Sequence, residues 1–250
     1  MSSLPVPKAV AKMAIPSVNS SLVTVVYNMA DTFFVGQTGD PLQVAAVSLT
    51  NPIFILFMAF ANMFGMDGSA AASMAMGGKN EKRMKQASAF ATYASLIVGV
   101  ALAVILMVFM MPVLNMFRAN EQTFLYAKGY TFHIAYGAPF IIWSAAASFV
   151  VRAEGASKEA MIGSMIGTVA NIVSDPVLIS GMGMGAAGAA VATTIGNILA
   201  SIYYLWYFLK KSKYFSISIQ YFTCKDGILS GVCDQQHIVG CFMEENQKTD

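Results

Sequence analysis

Two pairs of polar side chains recur at helical spacing inside apolar stretches of this sequence. Tyr27 precedes Asp31 by four residues in one stretch, and Asn171 precedes Asp175 by four residues in another. Residues at this spacing share one face of a helix, so each pair presents its oxygen atoms together. A third apolar stretch adds the hydroxyl group of Thr193. Two carboxylates, a phenol, an amide and a hydroxyl form an all-oxygen set that suits a hard cation or a shared proton.

The composition excludes a soluble globular protein. The chain is 56% hydrophobic and 11% charged, with a mean hydropathy of +0.60, whereas soluble domains carry about 25% charged residues. The basic residues lie at the ends of apolar stretches and not in one patch, so no nucleic-acid partner is predicted. We predict an all-α polytopic membrane protein surrounded by membrane lipid.

Six apolar stretches match the roughly 20 residues that a helix needs to cross a bilayer. Pro16 in the first stretch predicts a kink, and Pro176 disturbs the fifth directly after Asp175. An acid at membrane depth is expected to be functional. The alternatives are that Asp31 lies at the water interface and that the other polar groups only join helices. The predicted spans are residues 14–37, 48–76, 87–114, 129–151, 159–180 and 186–208.

The basic residues between the spans predict the orientation, because cytoplasmic loops carry the excess of Lys and Arg. Eleven lie on one side, and two, Arg118 and Lys128, lie on the other. Both ends of the six-span unit are therefore predicted to be cytoplasmic. The eleven are Lys8, Lys12, Lys79, Lys82, Arg83, Lys85, Arg152, Lys158, Lys210, Lys211 and Lys213.

These features divide the chain into three parts. We predict a cytoplasmic amino terminus at 1–13, a six-helix transmembrane lobe at 14–209, and a cytoplasmic tail at 210–250 that is poorly ordered beyond 223. The tail holds all three cysteines, but they lack the close pairs of a zinc site. In a reducing cytoplasm these thiols are expected to stay free.

The polar residues also carry a family resemblance. Pro16, the Tyr27 and Asp31 pair, the run Asn171-x-x-x-Asp175-Pro176 and Thr193 resemble the amino-terminal lobe of multidrug and toxic compound extrusion (MATE) transporters. The stretch ADTFFVGQTGDPLQVAAVSLTNPI is especially similar to theirs. The resemblance extends from about residue 8 to residue 222.

This resemblance implies a secondary active antiporter that exports organic cations across the cytoplasmic membrane in exchange for H⁺ or Na⁺. It implies neither an enzyme nor a cofactor. Pro16 would be the hinge at which the first helix bends. The ion or proton site would comprise Tyr27, Asp31, Asn171, Asp175 and Thr193, and a bound Na⁺ would contact all of these except Tyr27.

Two features depart from the family pattern. Asp67, in GMDGSAAASMAMGGKN, stands where the family has a stretch of small residues. The family also has twelve helices in two related lobes, whereas this chain predicts six. We therefore expect a truncated or frame-altered product that does not complete drug export by itself and pairs with a second lobe or with another copy of itself.

Three other classes of protein share some of these features. A lipid-linked saccharide flippase lines its cavity with basic residues, and no Lys or Arg is predicted at mid-membrane here. An intramembrane aspartyl protease also needs two acids in separate helices, but neither Asp31 nor Asp175 lies in a Gly-x-Gly-Asp setting. A non-transporting product that binds a full-length relative is the third class.

Overall fold

Helices make up almost all of the described chain in the computed structural model. It describes residues 15, 18–19, 22, 29, 33–37, 39–78, 81–117 and 121–212. Five helical segments there are long and apolar enough to cross a membrane, which confirms the predicted all-α membrane class. The elements are α1 (Pro41–Gly77), α2 (Glu81–Val108), α3 (Met110–Met116), α4 (Glu121–Ala153), α5 (Ser157–Asp175), a π-helical segment (Pro176–Gly181) and α6 (Ala186–Lys210).

The second, third and fourth predicted spans differ from the observed helices at their ends, and α4 begins at Glu121, eight residues before the predicted start at 129. Helix α1 begins seven residues before the predicted start at 48, because Asp40 caps it: its Oδ1 accepts a hydrogen bond from the Leu42 amide at 2.9 Å. The third span is two helices, since α2 ends at Val108 and α3 follows. Pro112 accounts for this break, because in a continuous helix its ring would clash with the carbonyl group of Val108, four residues earlier.

Helix α4 is the centre of the bundle. It packs against α1, α2, α5 and α6. In an apolar stretch of 18 residues in α4, 72% of the residues are buried, compared with 22% in the corresponding stretch of the span that contains α5. Small residues allow the helix backbones to approach closely, as is usual in membranes. A Cβ added to Gly196 of α6 would lie 2.5 Å from the carbonyl oxygen of Gly167 in α5. A larger side chain there would separate the two helices.

The α5 helix changes its hydrogen-bonding pattern directly after Asp175. Pro176 has no amide hydrogen, and the chain continues as one π-helical segment to Gly181. At its end the Met182 amide donates to the Val177 carbonyl, five residues earlier, at 2.8 Å. The disturbance predicted from Pro176 therefore takes the form of a wider helical turn.

The amino terminus of α6 is capped by a side chain from another helix. Gln43 of α1 accepts a hydrogen bond from the Ala186 amide through its Oε1 at 2.9 Å. Gly185 precedes this amide with φ +54°, a backbone conformation that glycine adopts readily. This hydrogen bond joins the amino-terminal ends of α1 and α6, at the end of the bundle that is opposite to Arg152.

Candidate functional site

Two of the predicted site residues form a direct contact in the membrane interior. Asn171 of α5 donates from its Nδ2 to the Oγ1 of Thr193 in α6 at 3.3 Å. Asn171 is 2% exposed and Thr193 is 5% exposed. The Oδ1 of Asn171 has no hydrogen-bond donor in the described part of the chain. A buried amide oxygen of this kind suits a cation, a water molecule or a protonated group.

Asp175 lies one helical turn beyond Asn171 on the same face of α5, as their spacing predicted. Its side chain is completely buried, at the junction of α5 with the π-helical segment. Burial of a carboxylate inside a membrane span is costly, so such a residue is expected to have a functional role.

Thr194, the neighbour of Thr193, faces a different helix. Its hydroxyl donates to the Ala190 carbonyl at 2.9 Å and approaches the His133 carbonyl of α4 at 3.4 Å. It also lies against Gly137 of α4. Of the two adjacent threonines, Thr193 therefore provides the hydroxyl beside Asn171.

Three predicted residues, Pro16, Tyr27 and Asp31, lie outside the described residues. The end of the same predicted span is described, and Val35 there is 2% exposed. Val35 packs in one cluster with Ile179 of the π-helical segment and Ala189 of α6. The first span therefore ends against the two elements that follow Asp175.

A second layer of polar residues supports Thr193, and the sequence analysis missed it. Asn197 donates from Nδ2 to the Thr193 carbonyl at 2.8 Å. Its Oδ1 accepts from the Ser144 hydroxyl of α4 at 2.8 Å. Asn197 stands four residues after Thr193, a spacing that could have indicated it, whereas nothing in the sequence pairs Ser144 with α6.

These residues border a cavity of about 300 Å³ between α1, α4, α5 and α6. At one end it reaches Asn171 and Thr193, and at the other it reaches Arg152 and Tyr204. Ser144 and Arg152 are eight residues apart on α4 and both line it, which corresponds to a length of about 12 Å. The remaining lining residues are Phe54, Met58, Asn62, Ala145, Ser148, Phe149, Ser164, Gly167, Thr168, Gly196, Asn197 and Ala200.

A network of charged and aromatic residues, which we call the end network, joins the α4–α5 loop to the end of α6. Glu154 accepts hydrogen bonds from Tyr207 at 2.8 Å and from Ser212 at 3.0 Å. Glu159 accepts from Lys211 at 2.8 Å and also from Tyr203. Both carboxylates are thus held by residues at the carboxyl end of α6.

Asp67 lies outside the cavity. It is partly exposed on α1, between Gly65, which packs against Phe149, and Gly68, which packs against Ala91. The two glycines let α1 approach its neighbours closely, while the carboxylate of Asp67 is on another face.

Comparison with protein families and with curated proteins gives matches that agree with each other. The MatE family model matches residues 16–177. The multidrug export protein MepA of Staphylococcus saprophyticus is 32% identical over 214 residues, which are 86% of this chain and 48% of that protein. MepA of Staphylococcus aureus strain NCTC 8325 is 30% identical over 216 residues, again 86% of this chain and 48% of that protein.

Solved structures with the same fold include the crystal structure of MATE in complex with MaD3S. Its TM-score is 0.85 at 27% identity, and the match covers 90% of this chain and 51% of that one. A transporter of the MOP superfamily from Pyrococcus furiosus gives a TM-score of 0.84 at 27% identity, covering 90% of this chain and 50% of that one. The chain spans about half the length of the relatives and structures that it matches.

Proposed function

This chain belongs to the MATE family, and on that premise we propose that it forms the amino-terminal lobe of an antiporter that exports organic cations in exchange for H⁺ or Na⁺. The observation that carries the proposal is the buried Asn171, whose amide holds Thr193 while its Oδ1 faces no donor in the described region. Asp175, fully buried one turn away, supplies a carboxylate to the same face. Members of this family are transporters and not enzymes, and they need no cofactor.

The ion site of the proposal includes Asp31 and Tyr27 in addition to Asn171, Asp175 and Thr193. Val35 supports this assignment, because it follows Asp31 by four residues and packs beside the π-helical segment. A monovalent cation or a proton would be shared by the two carboxylates and steadied by the amide and hydroxyl oxygens. Na⁺ and H⁺ both fit an all-oxygen set.

Coupling to substrate requires that the ion bind two packings of the lobe with different affinities. Pro16 is the proposed hinge for this change, because a proline weakens the helix at its position. Carriers built from repeats hold substrate between two halves and alternate access by moving one half against the other. We therefore include a second lobe, or a second copy of this chain, in the active assembly.

The location in the proposal is the cytoplasmic membrane, with both ends of the six-span unit in the cytoplasm. One ion pair supports it, since Lys211 at the end of α6 contacts Glu159 of α5, which follows the loop after Arg152. Met84, next to the basic residues that open α2, packs in one cluster with Phe208 near the end of α6. The basic loops are thus gathered at one end of the bundle.

A flippase of lipid-linked saccharides is the less favoured alternative. Arg152 is the only Lys or Arg among the described residues that line the cavity, and it lies in the last turn of α4. The part of the cavity beside Asn171 carries amides and hydroxyls instead. This distribution favours a cation site.

The ion site is tested with the Asp31→Asn variant in lipid vesicles. We expect the H⁺-dependent or Na⁺-dependent change in tryptophan fluorescence to disappear while insertion is retained, because the substitution removes one of the two charges that bind the ion. Asp67→Asn is the matched control, since it removes an acid of a membrane span that lies outside the cavity, and it should keep the response. A full response in Asp31→Asn would show that the proposed site is wrong.

The hinge and the orientation have separate tests. Pro16→Ala should bind the ion but give a smaller change in tryptophan fluorescence, because the helix then resists bending.

A cysteine introduced at Asp40 should be modified by a membrane-impermeant reagent from outside the cell. Modification from the cytoplasmic side alone would show that the proposed topology is wrong.

The need for a second lobe is tested by expressing the chain alone in cells that lack their own exporters. We expect no ion-dependent efflux of ethidium, because one lobe supplies only one wall of the substrate cavity. Polar faces left open to lipid would also disfavour a functional monomer. Robust ion-dependent efflux by a monomeric chain would contradict this part of the proposal.

A further inference from the structure

The cavity beside the candidate ion site has a row of hydroxyl side chains along one part of a largely apolar wall. Ser148, Ser164 and Thr168 line it between Asn171 and Tyr204. The Ser164 and Tyr204 hydroxyls are 3.1 Å apart, and Tyr204 also donates to the Ala160 carbonyl at 2.8 Å. Polar side chains at membrane depth that face an internal space are characteristic of water-filled pathways.

The dimensions of the cavity suit a cluster of water molecules. A volume of about 300 Å³ corresponds to about ten waters at roughly 30 Å³ each. A length of about 12 Å, from the helical rise between Ser144 and Arg152, is a few hydrogen-bonded waters end to end. At the inner end the Oδ1 of Asn171 offers a buried acceptor for which no donor is present in the described part of the protein.

The opposite end carries the only charged side chain among the described lining residues. Arg152 lies in the last turn of α4, and its guanidinium carbon is 5.9 Å from the ring centroid of Phe149. The aromatic ring provides one wall at that position and keeps the guanidinium beside the cavity. A fixed positive charge at this end of the cavity opposes the entry of cations and admits anions more readily.

We propose that this cavity is a hydrated route between the buried polar cluster and the end of the lobe that carries the basic loops, and that Arg152 is its electrostatic barrier. In this conformation the barrier keeps the ion site from exchanging cations freely with that side, as alternating access requires. The role of the barrier in coupling depends on the proposed function. The existence of the route and its charge preference do not.

Cysteine modification tests the route directly in the full chain, with Cys224, Cys233 and Cys241 replaced by Ser. Thr168→Cys places a thiol in the middle of the cavity wall. We expect it to react with water-soluble methanethiosulfonates applied to the basic-loop side, and the anionic sulfonate should react about tenfold faster than the cationic trimethylammonium reagent. Val169→Cys is the matched control, because Val169 is 55% exposed on the outer apolar face of α5 and outside the cavity, and it should react with neither.

The barrier is tested by combining Thr168→Cys with Arg152→Gln. We expect the tenfold preference for the anionic reagent to fall to about unity, while Arg152→Lys retains it because the charge is kept. A small neutral thiosulfonate that reacts equally in all three chains shows that the cavity has kept its shape. If Arg152→Gln fails to fold, the parent Thr168→Cys chain is labelled at 1 M salt, which screens the charge. Loss of the preference for the anionic reagent at that salt concentration supports the barrier, and retention of the preference contradicts it.

Two outcomes would overturn the proposal. Thr168→Cys that is as unreactive to the charged reagents as Val169→Cys would show that the cavity is dry. An unchanged preference without the Arg152 charge would show that it is not the barrier. Neither readout needs ion binding or transport, so an Asp31→Asn chain that loses its ion response but keeps this labelling pattern separates a failure of the ion site from a failure of the route.

Discussion

Helices α5 and α6 hold two polar clusters whose states of hydrogen bonding differ. At the end that carries the basic loops, Glu154 and Glu159 each accept two hydrogen bonds in the end network. In the membrane interior, Asn171 donates one hydrogen bond to Thr193, while its oxygen has no donor in the described region. The same helix pair therefore combines a well-satisfied cluster at its edge with an under-satisfied one at its centre.

This difference separates groups that stabilise the fold from groups that stand ready for a ligand. A satisfied polar network specifies a single arrangement of its helices, whereas an unsatisfied buried acceptor destabilises the protein until something binds it. Substitution of the inner cluster should therefore alter ion binding more than stability. Substitution of the end network should have the opposite effect.

Asn171→Leu is expected to have the largest effect. The ion concentration at half-response should rise at least roughly tenfold, equivalent to about 1.4 kcal/mol, because an amide oxygen is removed from the site. The thermal unfolding temperature in detergent should change little, since Leu has a similar volume and leaves fewer polar atoms to satisfy. A clear loss of stability with an unchanged ion response would show that Asn171 stabilises the fold and does not bind the ion. The two clusters would then not differ in role.

Tyr207→Phe is expected to have an intermediate effect of opposite kind. Its hydroxyl bonds the Glu154 carboxylate at 2.8 Å, so removal should lower the free energy of unfolding by about 1.5 kcal/mol. The ion response should stay the same, because the end network does not border Asn171. Tyr136→Phe is the control, as Tyr136 is 63% exposed, and equal destabilisation in both variants would contradict this reasoning.

Lys211→Ala is expected to have the smallest effect and to sharpen the comparison within the end network. The side chain of Lys211 is 50% exposed where it contacts Glu159, and exposed ion pairs contribute about 0.5 kcal/mol. The loss in unfolding free energy should also shrink as ionic strength rises, because salt screens exposed charges. Lys210→Ala in the same turn is the control, and a salt-independent loss above that of Tyr207→Phe would be inconsistent with a surface ion pair.

The sequence was sufficient to predict the architecture and the family. Long apolar spans with basic loops are a strong signal, because a bilayer admits few other solutions for the backbone. The match to the MatE family model confirms the predicted family. Half-length coverage of those relatives agrees with the prediction of one lobe. Pro16, Tyr27, Asp31, the 1–13 segment and the tail beyond 212 remain predictions.

Part of the site could also be predicted, because it depends on local spacing. Asn171 and Asp175 share a face by helical periodicity alone, and Thr193 could be paired with them through the family resemblance. Ser144 and Arg152 could not be found in this way, since their approach to α5 and α6 depends on how α4 packs. The early start of α1 was missed for a different reason: the Asp40–Pro41 capping signal was present but was outweighed by the apolar pattern.

The hydrogen bond between Gln43 and the Ala186 amide has a mechanical consequence. Because a side chain of α1 caps the first turn of α6, the two helix ends are held together. We expect them to move together whenever that half of the lobe moves. Separation of the pair would expose a backbone donor and fray the turn that leads to Thr193. A single amide side chain thereby transmits displacement of α1 to the helix that bears the Thr193 hydroxyl.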